Sequence, residues 1–338
     1  MRLLTCVKPG EFAYSNGSVP ELKKGYALIK VKRIGICGTD LHAFDGTQPF
    51  FNYPRVLGHE LAGEILEIET HADYRVGDHI SIIPYFSCGT CFACSQGKTN
   101  CCSNLHVMGV HCDGGMAEYI LVPIQSLFKD IRLDLDSLAL LEPLAIGAHG
   151  IKRAEIRPNE FVLIVGAGPI GLGAAAMAQV AGAQVIMQDI SQNRLDFAKE
   201  NLQIPFSINP NQEDALQALK EITKGNMPRV VIDATGYKKA IEQSFQYISQ
   251  GGTYVLIGLQ LAEISFSHPD FHKREATLMS SRNATREDFH WVADSIQQKL
   301  INPHVFISHR LAFEEVASQF PELINPANKV IKAMVILD

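Results

Sequence analysis

Residues 161–182 read FVLIVGAGPIGLGAAAMAQVAG. A run of apolar residues without alternation suits a strand buried on both faces. An Ala-rich stretch follows, which favours helix, and Gly182 suits the helix end. Between strand and helix stand Gly166, Gly168 and Gly171, spaced G-x-G-x-x-G, with Pro169 and Ile170 inside the pattern. The spacing alone is weak, but strand before and helix after supply the context it needs. The glycines permit a tight turn and close backbone approach, and the helix N-terminus stabilises a pyrophosphate. Asp189 ends the next apolar strand, AQVIMQD. Its carboxylate can accept hydrogen bonds from the adenosine ribose and repels a 2′-phosphate, so NAD is expected over NADP. Arg194 lies one helical turn further on and could cover the adenine; a solvated helix residue is the equal alternative.

The pattern continues. SQNRLDFAKEN reads as a helix, VVIDATG as a strand, KKAIEQSFQYIS as a helix and GTYVLIGL as a strand. Strands alternating with helices mean a doubly wound parallel sheet, expected over residues 148–283. The first 147 residues differ. YALIKVKRIGI, LAGEILEIE, DHISIIPY and AEYILVP carry β-branched residues punctuated by Gly, Pro and Asp, which predicts an irregular all-β domain with few helices. Residues 284–338 mix helix and strand without a core of their own. The 36 acidic and 30 basic residues give a net charge of −6, and there is no basic stripe, which argues against a nucleic-acid binder. No apolar run reaches membrane-spanning length, and the apolar start is too short for a signal peptide. The expected setting is the cytosol, where clustered cysteines bind metal more often than they pair.

Five of the eight cysteines fall in CGTCFACSQGKTNCC, residues 88–102. Cys88, Cys91 and Cys94, closed by Cys102, give C-x2-C-x2-C-x7-C. Four thiolates suit a closed, structural zinc. Spacing does not choose between Cys101 and Cys102 for the fourth position. Cys6 and Cys112 have no spacing partner and read as small hydrophobes. Further candidate ligands stand in GICGTDLH, with Cys37, Thr39, Asp40 and His42, and in LGHELAGEI, with His59 and Glu60. Glu142 lies in the apolar run LLEPLAIGAH, where a carboxylate is costly unless paired, protonated or bound to metal. One Cys, one His and one Glu would leave a fourth metal position open, as a catalytic zinc requires. Separately each has a plain reading: core cysteine, turn histidine, acid at a helix start.

GICGTDLH, GHE, the four-cysteine loop, EPLA and VGAGPIG followed by Asp189 occur in one order and resemble the zinc-dependent medium-chain dehydrogenases along nearly the whole chain. The resemblance implies a GroES-like catalytic domain from residues 1–147 and 284–338, a Rossmann NAD domain from 148–283, and a substrate cleft between them. It implies a catalytic zinc on Cys37, His59 and Glu142, with Glu60 close enough to exchange onto it, and a structural zinc on Cys88, Cys91, Cys94 and Cys102. It also implies hydride transfer from an alcohol to NAD, with the proton leaving through Thr39, the nicotinamide ribose and His42. Asp40 is expected to orient His59 by a hydrogen bond. A homodimer or homotetramer is implied, with the strand GTYVLIG extending the sheet across a two-fold axis.

Glutamate rather than cysteine in EPLA resembles the polyol and threonine dehydrogenases of the family. QPFFNYPRVLGHE, MGVHCDGG and FHKREATLMSSRNATREDF resemble its sugar-acid branch, implying oxidation of a secondary hydroxyl of a hexonate. Arg282, Lys273, Arg274 and His111 are candidates to receive the substrate carboxylate. The rivals are a neutral-polyol or threonine enzyme and, outside enzymes, a zinc- and nucleotide-binding regulator without turnover.

Overall fold

The computed structural model describes residues 1–48 and 51–337. Pro49 and Phe50, in the segment QPFFNYPRVLGHE, lie outside the described residues. The chain forms two compact units: Met1–Glu142 with Thr285–Gln297 and Asn302–Asp338, and Pro143–Ala284 with Gln298–Ile301.

The first unit is built on a seven-stranded sheet whose centre is Tyr26–Ile36. That strand pairs antiparallel with Glu60–Ile68 on one side and with Lys332–Ile336 on the other, while Tyr119–Pro123 pairs with its first half. Leu4, Ile29, Ile34, Leu61, Ile65 and Phe320 are fully buried in the core beneath it. Register decides what happens at one end of the sheet. Gly35 pairs with Glu60, and Ala333 pairs with Ile36. The residues next in line, Cys37, His59 and Lys332, therefore arrive at one place from three distant parts of the chain.

The second unit is a six-stranded, wholly parallel sheet in the order 206–208, 184–188, 161–165, 230–233, 253–256, 277–280. Val162, Leu163, Ile164, Val231 and Ile232 have no exposed surface, as expected of strands covered on both faces. The helix Pro169–Val180 follows the glycine turn, and Gly182 stands just beyond its end with φ +85°.

Two expectations need correction. The strand of GTYVLIG, Thr253–Leu256, is interior: it pairs with Val230–Asp233 and with Thr277–Ser280, so the sheet edge on that side belongs to Thr277–Ser280. The run LLEPLAIGAH was expected at most to start a helix. It lies in the middle of one 19-residue helix, Leu135–Arg153, with Pro143 inside it. Proline lacks the N–H for the preceding turn and ordinarily marks a boundary, which hides this helix from a sequence reading.

Candidate metal centres and cofactor loop

In the cysteine loop, Cys91 caps the short helix Phe92–Ser95, and a single 3-10 turn, Thr99–Cys101, brings the chain back. The sulfurs of Cys88, Cys91, Cys94 and Cys102 lie within 4.8 Å of one another. Cys102 is buried and Cys101 exposed, so the turn brings Cys102 into the group and leaves its neighbour outside. Backbone N–H groups are aimed at the sulfurs: Cys88 and Asn104 donate to Cys102 Sγ, and Cys91 to Cys88 Sγ, each at 3.3 Å. The sulfurs of Cys91 and Cys102 are 3.8 Å apart, far beyond a disulfide bond. Hydrogen-bond donors around the loop stabilise thiolate: the Cys91 thiol falls to about 5 under donors from Cys94 and Ser103, and Cys88 to about 7 under Thr90 and Cys91. Cys94 is pushed up to about 11 by desolvation and by Cys91. Four sulfurs this close resist carrying four charges unless a cation joins them, and the donor set fits zinc.

The second cluster is buried. Cys37 follows the strand Tyr26–Ile36 and caps the helix Gly38–Asp45, with Asp40 at its third position. Ligand atoms of Cys37, His59 and Glu60 lie within 4.8 Å of one another. His59 and Glu60 are 5% and 0% exposed. Glu142 is not a member of that set, yet its charge acts on His59, and it is 1% exposed. Cys37, Asp40, Glu60 and Glu142 thus surround His59 and one buried ammonium, Lys332. Burial pulls the His59 imidazole down, but the interactions with Cys37 and Asp40 outweigh it and raise it well above its ordinary value. Burial pushes the Glu142 carboxyl up to about 7 despite the pull of His59. Two buried atoms of this cluster have no hydrogen-bond partner among the described residues, His59 Nδ1 and Glu142 Oε2. Converging sulfur, imidazole and carboxylate ligands, with a bare carboxylate oxygen buried beside them, fit a divalent cation.

The expected hydrogen bond between Asp40 and His59 is not made. Asp40 Oδ1 stands 3.9 Å from His59 Nδ1. Its oxygens are taken by backbone N–H groups, Oδ2 by Cys37 at 2.9 Å and Oδ1 by Gly58 at 3.1 Å. Asp40 therefore ties together the two turns that carry Cys37 and His59. Thr39 is half-buried, two residues after Cys37. His42, in the last turn of that helix, is exposed, and its Nδ1 lies 2.9 Å from Thr47 Oγ1.

Two residues at this cluster were invisible in the sequence. Lys332 is 2% exposed and donates to both oxygens of Glu60, at 2.6 and 2.7 Å, and to the Ile36 carbonyl at 3.1 Å. Tyr85, also buried, donates its phenol proton to Glu142 Oε1. A lysine in the apolar stretch VIKAMVIL was the available signal for the first; Tyr85, in SIIPYF, offered none.

In the second unit the glycine pattern has a steric cause. Gly166 has φ +100°, and a Cβ there would stand 2.8 Å from Thr235. A Cβ on Gly171 would stand 1.7 Å from the Gly166 carbonyl oxygen. Gly168 is different: the nearest atom to a Cβ would be Arg194 Nη1 at 3.9 Å, so the turn is open there, beside an exposed guanidinium. Pro169 opens the helix, followed by Ile170. Asp189 accepts from Ala167 N at 2.6 Å and from Ser191 N at 2.7 Å, clamping the loop to the end of its strand. Of the carboxylate candidates, Arg274 is spent on the carbonyls of Ile248 and Asp270, at 3.2 and 2.9 Å. Lys273 and Arg282 are exposed in the second unit, and His111 is exposed in the first, where its Nδ1 accepts from Val107 N at 3.0 Å.

A β unit with two metal-ready clusters and a Rossmann unit with a dinucleotide turn define the class of a zinc-type, nucleotide-dependent dehydrogenase. The model of the alcohol dehydrogenase GroES-like domain matches residues 23–132, and that of the zinc-binding dehydrogenase matches residues 169–298. The chain is 43% identical to the L-galactonate-5-dehydrogenase of Escherichia coli K12, over 99% of this chain and 98% of that one. Among solved structures it resembles an RspB alcohol dehydrogenase of Escherichia coli CFT073 in complex with NADH, with a TM-score of 0.93 and 30% identity, covering 100% of this chain and 99% of the other. It also resembles a zinc-binding dehydrogenase of Sinorhizobium meliloti bound to NADP, with a TM-score of 0.90 and 30% identity, covering 99% of each. The protein belongs to the zinc-binding medium-chain alcohol dehydrogenase family, and it is an oxidoreductase. No helix among the described residues is long and apolar enough to cross a membrane.

Proposed function

We propose that this protein oxidises a secondary hydroxyl of a hexonate, of the L-galactonate class, with NAD as hydride acceptor, in the cytoplasm. The observation that carries the substrate class is the 43% identity to an L-galactonate-5-dehydrogenase along nearly the entire chain. Cys37, His59 and Glu142 would hold the catalytic zinc, and Cys88, Cys91, Cys94 and Cys102 the structural one. When bound at the buried cluster, zinc supplies a Lewis acid that lowers the pKa of a hydroxyl. Thr39, half-buried two residues from Cys37, would hydrogen-bond that hydroxyl. His42 is exposed, and with its Nδ1 held by Thr47 it has Nε2 to pass a proton to solvent. Gly166, Gly168 and Gly171 leave room for the pyrophosphate, and the helix beginning at Pro169 meets its charge. The open edge Thr277–Ser280, with Leu278 36% exposed, supports assembly of the chain into a homo-oligomer through this strand.

A substrate panel tests the reading. Hexonates, neutral polyols and threonine are assayed with NAD and with NADP. A hexonate should give the highest kcat/KM with NAD; preference for threonine or a neutral polyol overturns the sugar-acid part. Asp189→Gly should cut the preference for NAD over NADP by about 10–100-fold, as expected for loss of a charged hydrogen-bond acceptor. The ratio is the proper readout, because the same carboxylate also clamps Ala167 and Ser191. An unchanged ratio removes Asp189 from ribose recognition.

A further inference from the structure

The buried cluster contains two glutamates, and their partners differ in charge. Glu60 lies nearer to Cys37 and His59, so proximity alone favours it as the third ligand. Both of its oxygens, however, are held by the Lys332 ammonium. The fit is close-built: a Cβ on Gly35, the residue opposite in register, would stand 2.1 Å from Glu60 Oε2. The pair carries no net charge, and a cation drawn to Glu60 also meets the field of Lys332. Glu142 is held by a neutral donor. Tyr85 gives one proton to Oε1, while Oε2 is buried without a partner. A neutral phenol brings no opposing cation to the carboxylate, and by fixing one oxygen it fixes the rotation that presents the other.

We infer that Tyr85 is a positioning residue that presents Glu142 Oε2 as the anionic metal ligand, while Lys332 keeps Glu60 neutralised beside it. The inference rests on the proposed catalytic zinc at Cys37 and His59, and deepens it by naming what divides the work between two carboxylates.

The test measures zinc affinity of the full-length protein by competition with a chelator of known affinity, the four-cysteine site serving as an internal reference. Tyr85→Phe should weaken one of the two bound zinc ions by about 10–100-fold and leave the other unchanged. With cobalt in place of zinc, its d–d absorption should shift, a signature that a purely structural tyrosine would not move. Glu142→Gln should weaken the same ion at least as much, and the double substitution should do no further harm, since both changes remove one interaction. If Tyr85→Phe does not accumulate as folded protein, Glu142→Asp, which keeps the charge but withdraws it from the phenol, should show a loss of at least about tenfold. Wild-type affinity in Tyr85→Phe with a weakened Glu142→Gln overturns the role of Tyr85 and leaves the zinc site standing. Additive losses in the double substitution also overturn it. Wild-type affinity in both, with the ion lost in Cys37→Ser, removes Glu142 as ligand and Tyr85 with it. Two ions retained in Cys37→Ser would sink the underlying site reading instead.

Discussion

The two cysteine-bearing clusters of the first unit use the same element in opposite ways. The loop at residues 88–102 gathers four sulfurs close to solvent, with Cys102 alone buried, and surrounds them with backbone N–H donors. Its donors are alike, local in sequence and complete in number. The cluster at Cys37 is buried, mixes sulfur, imidazole and carboxylate, and is assembled by sheet register from residues as far apart as 37 and 332. It retains two bare polar atoms. A complete set of like ligands can hold a loop in shape and has no vacancy for chemistry. An incomplete, unlike set inside a core costs stability and is kept only where a ligand or metal completes it.

The largest expected effect breaks that contrast at the buried end. Cys37→Ala or His59→Ala should bring turnover below detection while the folded protein still holds one zinc per chain, measured by metal analysis beside the assay. Loss of both ions in either variant would show that the clusters are not independent. Cys91→Ser should do the reverse. It removes one of four ligands from a loop whose folding is coupled to its metal, so the yield of folded protein and the melting temperature should fall sharply. The fraction that folds should turn over at close to the parental kcat. A well-folded Cys91→Ser protein without activity would refute the division of labour.

The same contrast separates what local sequence conveys from what only packing conveys. The four-cysteine loop is legible because its ligands span 15 residues and the thiol spacing is itself the signal. The glycine turn is legible for the same reason: Gly171 is forced by contact with Gly166, at the other end of the same motif. Cys37 and His59 are recognisable as candidates by type, but their meeting depends on register, which no local pattern reports. Lys332 is 272 residues from its partner Glu60. Asp40 could have been placed correctly from local rules, since it stands three residues after the helix cap and takes the cap N–H as a capping-box acid does. Expecting it on His59 favoured a resemblance over that nearer constraint. The helix Leu135–Arg153 was hidden by Pro143, and the edge strand Thr277–Ser280 by being four residues long and mixed in character.

A milder perturbation sharpens the comparison without mutation. Under a limiting chelator the two ions should leave in order. The proposed three-ligand site, with a position open to exchange, should empty first, and activity should fall with the first zinc released while the melting temperature holds. Only release of the second, from the closed thiolate set, should bring the melting temperature down. Simultaneous loss of activity and thermal stability would mean that one ion serves both ends.

The smallest effect belongs to Cys101, and it is the most exacting test of the loop. By spacing alone Cys101 is as good a fourth ligand as Cys102. The turn Thr99–Cys101 separates them, leaving Cys101 exposed and Cys102 buried with two N–H groups on its sulfur. Cys101→Ser should therefore keep both zinc ions and parental activity, with a stability change within about 0.5 kcal/mol, as for a surface substitution. Cys102→Ser should behave like Cys91→Ser. If the two neighbours exchange these outcomes, the loop closes on the other thiol, and the backbone turn assigned here to Cys102 is misplaced by one residue.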